Sequence, residues 1–321
     1  MNRSLRNAVT AAKTIAITGH KHPDGDCVGS CMAMYYFLKD NFADKTVRVY
    51  LETPPENLAV LPAWDEIDTE FLPPAKPYDL FLVLDCSSED RFPCAKEMVA
   101  AAKHTFVVDH HMTNTHFADE EIVLPDASST CEVLFGLLSE NAITTDIATA
   151  LYMGIVHDTG VFKYECCREN TMKVAGKLLS KGVDAQRLID DTFYRKSYLQ
   201  NLVIGYSVLN SKLLLGGKMI CTVLTAEELA KFGAVAKDTE GVIDQLRLTE
   251  GIEVAMFARE DEPNRFKVSL RAISKVNVAA ICQTFGGGGH RLAAGCNVDG
   301  PVSAAIEKIA SMVESELAEK C

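Results

Sequence analysis

The residues best suited to chemistry stand at the ends of short apolar runs. Gly19-His20-Lys21-His22-Pro23-Asp24-Gly25-Asp26 follows the run 14–18 and packs two imidazoles and two carboxylates into seven residues. The run 79–84 ends in Asp85, the run 105–108 ends in Asp109-His110-His111, and Asp158 sits in His157-Asp158-Thr159-Gly160. If each run is a buried strand, its polar tail lies at the carboxyl end, where open α/β sheets form their ligand crevices. Taken alone, the first stretch reads equally well as half of a metal site or as a strand-to-helix loop in which Asp24 or Asp26 caps the next helix. The other strand ends decide for the metal site, because a chance layout would scatter such groups.

Charge balance indicates what the site would hold. Four carboxylates placed together without a counterion would repel one another and resist desolvation. Two divalent cations resolve this: Asp24, Asp26, Asp85 and Asp158 supply four negative charges, and His20 and His110 remain neutral ligands. Oxygen and imidazole donors without thiolate suit Mn²⁺, with Mg²⁺, Co²⁺ or Fe²⁺ as alternatives. Cys27 and Cys31 share a helix face at i, i+4 and read as packing rather than as ligands.

The elements that would position these groups alternate. A short amphipathic helix over 4–13 leads into a strand at 14–18, then a helix over 28–40, a strand at 46–51, a loop-rich excursion holding the only Trp, Trp64, and strands at 79–84 and 105–108 with a helix over 94–103 between them. Such alternation predicts an α/β fold with a doubly wound parallel sheet. Helices are expected from Ser129 to about 140, with Glu132 completing a capping box, and over 145–155, 170–180, 184–192 and 198–214. After Gly216-Gly217 the pattern becomes strand, helix, helix, strand, strand, helix, glycine run, helix, with strands at 218–224, 253–259 and 265–272. This is a smaller α+β domain. The expected division is residues 1–190, a helical connector at 191–215 and residues 216–321. Within it the segment 198–214 is the hinge candidate, and the active site is expected in the cleft between the two domains.

Composition narrows the partners. At 321 residues and 48% hydrophobic content the chain suffices for two globular cores. A net charge of −12 argues against long duplex DNA and leaves short anionic substrates open. No apolar run approaches the roughly 20 residues of a membrane span, and no secretory segment follows Met1-Asn2-Arg3-Ser4, so the expectation is a soluble cytoplasmic protein without a membrane partner. Eleven cysteines, an odd number without a C-x-x-C pair, fit reduced thiols. A homodimer is compatible with all of this.

In order, G-H-x-x-P-D-G-D, the Asp of L-D-C-S-S, V-V-D-H-H and G-I-x-x-D-T-G-x-F resemble the four motifs of the DHH phosphoesterase superfamily. The C-terminal segment resembles the DHH-associated domain of NrnA-type enzymes, short-oligoribonucleotide exonucleases that also dephosphorylate 3'-phosphoadenosine 5'-phosphate (pAp). Ser269-Leu270-Arg271 and Phe285-Gly286-Gly287-Gly288-Gly289-His290-Arg291 carry that resemblance. It implies one metal on His20, Asp24 and Asp85 and a second on Asp26, Asp85, His110 and Asp158, with Asp85 bridging. It also implies that Asp109 holds an imidazole or main-chain group in place and that His111 faces the scissile phosphate. His22 occupies a variable position and receives no role.

In the second domain, Gly287, Gly288 and Gly289 would let backbone amides approach an anion, beside donors from Arg271, His290 and Arg291. The resemblance implies a substrate of very short RNA, linear dinucleotides such as pApA, and pAp. Competing readings are a family II inorganic pyrophosphatase, whose second domain carries a basic clamp instead of the glycine run, a cyclic-dinucleotide phosphodiesterase, and a nucleotide sensor without catalysis. A processive RecJ-like DNA exonuclease would need further domains and a basic channel. Glu120-Glu121 reads as solvated surface, and Tyr35-Tyr36-Phe37 as core.

Overall fold

The structure is a computed structural model and describes residues 1–319. It divides into Met1–Arg195 and a second unit from Lys196 onward. In the first unit, α1 (Arg3–Ala11) leads into β1 (Thr14–Thr18), α2 (Gly25–Asn41), β2 (Thr46–Tyr50) and the two-residue β3 (Ile67–Asp68). Then come β4 (Leu80–Leu84), α3 (Lys96–Ala101), β5 (Thr105–Asp109) and β6 (Glu120–Val123), followed by α4 (Thr130–Leu137), α5 (Thr145–Asp158), α6 (Glu169–Leu179) and α7 (Ala185–Ile189). The strands pair in parallel in the order β3-β2-β1-β4-β5-β6. That order reverses between β1 and β4, which opens a crevice at their carboxyl ends.

The central strands are apolar on both faces, so side chains alternate between two cores. Ile15, Ile17, Leu80, Leu82, Leu84, Phe106 and Val108 join the helices α1, α2, α4, α5 and α6 in the larger cluster. Ala16, Phe81, Val83 and Val107 face the other way, against Met98 and Val99 of α3 and against Phe92. Tyr35, Tyr36 and Phe37 are buried in the larger core.

Glycines set the approach of α2 to α5. A Cβ on Gly29 would lie 2.5 Å from the Ala150 carbonyl oxygen, and one on Gly154 would lie 2.3 Å from Cys131 Sγ and 2.6 Å from Asp26 Oδ1. Bare backbone at these positions lets the start of α2, the start of α4 and the end of α5 meet.

Several elements differ from the sequence-based expectation. Helix α2 begins at Gly25 rather than 28, because Asp24 caps it: Asp24 Oδ1 accepts from the amides of Asp26 (3.0 Å) and Cys27 (3.1 Å). Helix α5 continues to Asp158, placing that carboxylate on its last turn, and Gly160 follows with φ +55°. Glu120 and Glu121 belong to edge strand β6, where Glu120 accepts from Ser4 and lies 3.1 Å from His104 Nε2. Ser129 caps α4 by accepting from Glu132 N at 3.0 Å, yet the Glu132 carboxylate turns to Ser128 instead of closing the box.

The second unit runs α8 (Tyr198–Leu209), β7 (Lys212–Leu214), β8 (Met219–Leu224), α9 (Ala226–Phe232), α10 (Val242–Arg247), β9 (Val254–Glu262) and β10 (Arg265–Ala272). It closes with α11 (Val278–Gln283), β11 (Gly288–His290), β12 (Ala293–Asp299) and α12 (Val302–Glu319). Its mixed sheet has the order β11-β12-β10-β9-β8-β7, with β8 and β9 parallel and the other pairs antiparallel. One face packs on α11 and α12 through Met256, Val268, Leu270, Ile309 and Val313. The other packs on α8, α9 and α10 through Ile220, Phe257, Val203, Leu229 and Leu246. The helix expected over 198–214 thus ends at Leu209, its Val203 joins this core, and 212–214 is a strand. Part of the glycine run is likewise a strand, paired with β12.

Two stability predictions follow from this packing. Gly29→Ala should cost about 1–3 kcal/mol by overpacking against backbone, whereas Gly176→Ala, with nothing within 4 Å of the added methyl, should be neutral or stabilise. Denaturant titration of both variants checks this, and equal effects would refute the close-approach argument. Buried Glu132 accepts from Ser128 N, Ser128 Oγ, Asn170 Nδ2 and Thr171 Oγ1 at 2.6–3.1 Å. Burial alone would raise its carboxyl, but these bonds outweigh it and hold the group below its ordinary 4.5. A depressed folded value stabilises above the unfolded value and loses that contribution as pH falls through the folded one. Glu132→Gln should therefore destabilise by about 1–3 kcal/mol at neutral pH, with the gap to wild type closing on acidification below 4.5. A gap that stays constant in acid would contradict the assignment.

Candidate metal centre

The carboxyl ends of β1, β4 and β5 converge with the first turns of α2 and α4 and the last turn of α5. Asp85, the residue after β4, is 2% exposed and adopts φ +57°, a left-handed conformation that Asp tolerates better than most residues. This sharp turn at the strand end leaves its two oxygens facing opposite imidazoles. Asp85 Oδ2 lies 3.4 Å from His20 Nε2, and Asp85 Oδ1 lies 3.7 Å from His110 Nε2 and 3.7 Å from His111 Nδ1. Thr130 Oγ1 donates to Oδ1 at 3.0 Å.

On one side, His20 Nδ1 is 2.9 Å from the Lys21 carbonyl oxygen, a contact that fixes an N–H there and turns Nε2 toward the carboxylates. Asp24 Oδ2 is 3.7 Å from that Nε2, while its other oxygen caps α2. Asp24 therefore fulfils both roles the sequence offered as alternatives. On the other side, fully buried Asp26 accepts from Thr130 N (2.6 Å) and Cys131 N (2.9 Å) at the start of α4. His110 Nε2 lies 3.1 Å from Asp158 Oδ2, and His110 Nδ1 lies 3.4 Å from the Ala127 carbonyl oxygen.

Asp109 is fully buried and accepts from His110 N (2.8 Å), His111 Nδ1 (2.7 Å) and Asn114 Nδ2 (2.7 Å). One carboxylate thereby orients the His110 main chain and the His111 ring. His22 stands exposed on the surface, 3.9 Å from Glu52. Sequence reasoning missed Thr130 and Asn114, which carry no motif of their own; Cys27, read as packing, is fully buried in the core. The buried Cys27 thiol lies in one ligand-spaced group with His20 and Asp85.

The electrostatics are those of a cluster short of positive charge. Burial pushes the Asp26 carboxyl well up, aided by the charges of Asp85 and Asp158, and burial likewise raises Asp158 against the pull of His110. Burial opposes protonation of His20 and His110, but their carboxylate partners outweigh it and drive both imidazoles upward. The ligand atoms of His20, Cys27 and Asp85, of Asp85, His110 and His111, and of Asp26, His110 and Asp158 each lie within 4.8 Å of one another. Carboxylate and imidazole donors so spaced, with each histidine held in a fixed tautomer, fit divalent metal ions.

In the second unit, Arg271 lies on β10 and donates through Nη1 to the Leu270 carbonyl at 3.0 Å. The amides of Gly286 and Gly287 close the end of α11 on Gln283 and Cys282. Gly287 also comes so near β12 that a Cβ would sit 2.2 Å from the Gly295 carbonyl oxygen, and Gly289 adopts φ +144°. Gly288, Gly289 and His290 form β11, and His290 is exposed. Arg291 Nη2 donates to the Ser274 carbonyl at 2.9 Å and to that of Lys275 at 3.4 Å, contacts that anchor the hairpin.

Comparison with known proteins places this geometry. The DHH family, N-terminal domain, matches residues 14–155, and the DHHA1 domain matches residues 216–319. A Thermus thermophilus protein described as bifunctional oligoribonuclease and PAP phosphatase NrnA is 30% identical over 311 residues, covering 94% of this chain and 90% of the relative. A Bacillus subtilis protein of the same description is 26% identical, with 93% of each covered. The crystal structure of an exopolyphosphatase-related protein from Bacteroides fragilis superimposes with a TM-score of 0.88 at 26% identity, covering 99% of this chain and 97% of that one. No helix among the described residues is long and apolar enough to cross a membrane. With both domains matched in order and near-full-length likeness to NrnA proteins, the chain belongs to the DHH family of phosphoesterases, among its NrnA-type members.

Proposed function

We propose that the chain is a two-metal phosphoesterase that hydrolyses very short oligoribonucleotides and linear dinucleotides such as pApA to mononucleotides, and also converts pAp to AMP and phosphate. The observation that carries this reading is Asp85, whose two oxygens face His20 on one side and His110 on the other at the reversal of strand order. The names of the Thermus and Bacillus relatives support the substrate class.

In this reading His20, Asp24 and Asp85 hold one ion, and Asp26, Asp85, His110 and Asp158 hold the other, with Mn²⁺ the favoured metal and Mg²⁺, Co²⁺ or Fe²⁺ as alternatives. The bound ions would supply positive charge that offsets the phosphoryl oxygens and favours deprotonation of the attacking water. The protein does the orienting. Asp109 ties down His111 Nδ1 and raises that imidazole against the effect of burial, so His111 Nε2 is the atom that donates to the leaving oxygen as the phosphorus–oxygen bond breaks. Arg271 supplies a planar fork to a substrate phosphate, with His290 and the backbone of Gly287, Gly288 and Gly289 beside it and Arg291 completing the hairpin.

The decisive assay incubates the pure protein with Mn²⁺ and, separately, pApA, pAp, longer RNA, pyrophosphate and cyclic-di-AMP. AMP should appear from pApA, and a chelator should abolish its release; turnover of pyrophosphate alone would sink the proposal. Asp85→Ala should lower kcat by more than about a hundredfold, while Asn114→Ala, which removes a support of Asp109 together with bonds to the Cys86 carbonyl and the His116 amide, should cost about 10–100-fold. Arg271→Ala should raise KM and leave kcat nearly unchanged. Near-normal turnover in Asp85→Ala would refute the shared-ligand assignment.

A further inference from the structure

Strand β10 carries Arg265, Lys267, Ser269 and Arg271 on one face, because side chains alternate along a strand and the residues between them are buried. Lys267 and Ser269 stand opposite Arg259 and Phe257 of β9, and Arg271 stands opposite Ala255. Beside α10 this face leaves a cavity of about 280 Å³ whose lining includes Arg259, Lys267, Ser269 and Arg271 together with Glu240 and Asp244.

The cations on this face are not equivalent. Arg259 is neutralised by Asp261 at 2.8 Å and donates to the Ala236 carbonyl and Thr239 Oγ1. Arg265 pairs with Glu262 at 3.5 Å and Asp299 at 3.7 Å. The Lys267 side chain makes no ion pair or hydrogen bond among the described residues, and the Arg271 guanidinium bonds only one backbone carbonyl, leaving most of its donors open. Ser269, between them, has a hydroxyl with no partner among the described residues. Asp244 is partly answered by Arg247 at 3.9 Å, and against the remaining carboxylate, Glu240, the two uncommitted cations leave the lining net positive. Four residue steps of strand separate Lys267 from Arg271 by about 13 Å, more than the width of one phosphate group.

We propose that Lys267 and Ser269 extend the Arg271 site into a track along β10 for successive phosphates of an extended single-stranded oligonucleotide. Arg271 takes the phosphate next to the scissile one, Ser269 faces the following phosphate, and Lys267 takes the one after that, which exists only in substrates of four or more nucleotides. Lys267 is thus a length-specificity residue. Assigning these phosphates rests on the proposed phosphoesterase reading, but the existence of the track does not.

Two measurements test it. In EDTA, where cleavage is blocked, fluorescence anisotropy of a labelled RNA pentanucleotide on the full chain should show Lys267→Glu weakening binding by about tenfold. It should also show Lys267→Ala reducing the slope of log K against log salt by about 0.7, the value for one lost phosphate contact on a single strand. With Mn²⁺, Lys267→Ala should raise KM for the pentanucleotide about fivefold and leave KM for pApA and pAp within twofold, whereas Arg271→Ala should raise all three. Unchanged pentanucleotide affinity in Lys267→Glu overturns the track, and an equal KM rise for pApA and pentanucleotide shows that both cations serve one phosphate and overturns the length assignment. If wild type fails to cleave pApA, the phosphoesterase reading falls, while the anisotropy arm still decides the track.

Discussion

Negative charge held away from water at one sheet edge is the constraint on which the first unit depends. Asp26 and Asp85 are buried within reach of Asp158, His20 and His110, and no lysine or arginine pairs with any of these carboxylates among the described residues. The chain supplies partial charge instead: two amides at the start of α4 for Asp26 and the Thr130 hydroxyl for Asp85. Helix N-termini and hydroxyls offset part of a carboxylate's charge, and the remainder is what divalent ions would neutralise.

That arrangement dictates how closely the helices must meet. Asp26 reaches the amides of Thr130 and Cys131 only because α2 and α5 touch through Gly29 and Gly154. Asp158 then arrives on the last turn of α5, and the chain leaves through three successive left-handed residues, Gly160, Val161 and Phe162. Left-handed φ is unusual for Val and Phe and persists only where the surroundings over-determine it. Here Thr159 Oγ1 accepts from Phe162 N at 2.9 Å and donates to the Ile155 carbonyl at 2.6 Å, which pins the turn.

The second unit is proposed to meet a different demand, offering a substrate the cations that its own carboxylates leave unpaired. Its glycine run serves packing first: amides close α11, Gly287 admits β12, and Gly288 to His290 form a short hairpin strand. What the hairpin and sheet leave exposed are the few donors not spent on carboxylates, notably those of Lys267 and Arg271. The difference between a spent and an unspent cation is invisible in composition and plain in the ion pairs.

The sequence by itself determined the parallel sheet, the strand ends and the residue types gathered there, because strands buried on both faces read as uninterrupted apolar runs and their polar tails stand out. It left β3, β6, β7, β11 and β12 unread: edge strands carry charge without penalty, and strands built on glycine and alanine have little side-chain pattern. It also could not place Asp158 on helix or loop, send Glu132 to Ser128, or bring Thr130 and Asn114 to Asp85 and Asp109. Those contacts join residues far apart in the chain, so local propensity is silent about them. Only the tertiary structure decided that Asp24 both caps α2 and faces His20, and that Asp85 stands between two imidazoles, because each depends on how a strand end and two helix ends meet in space.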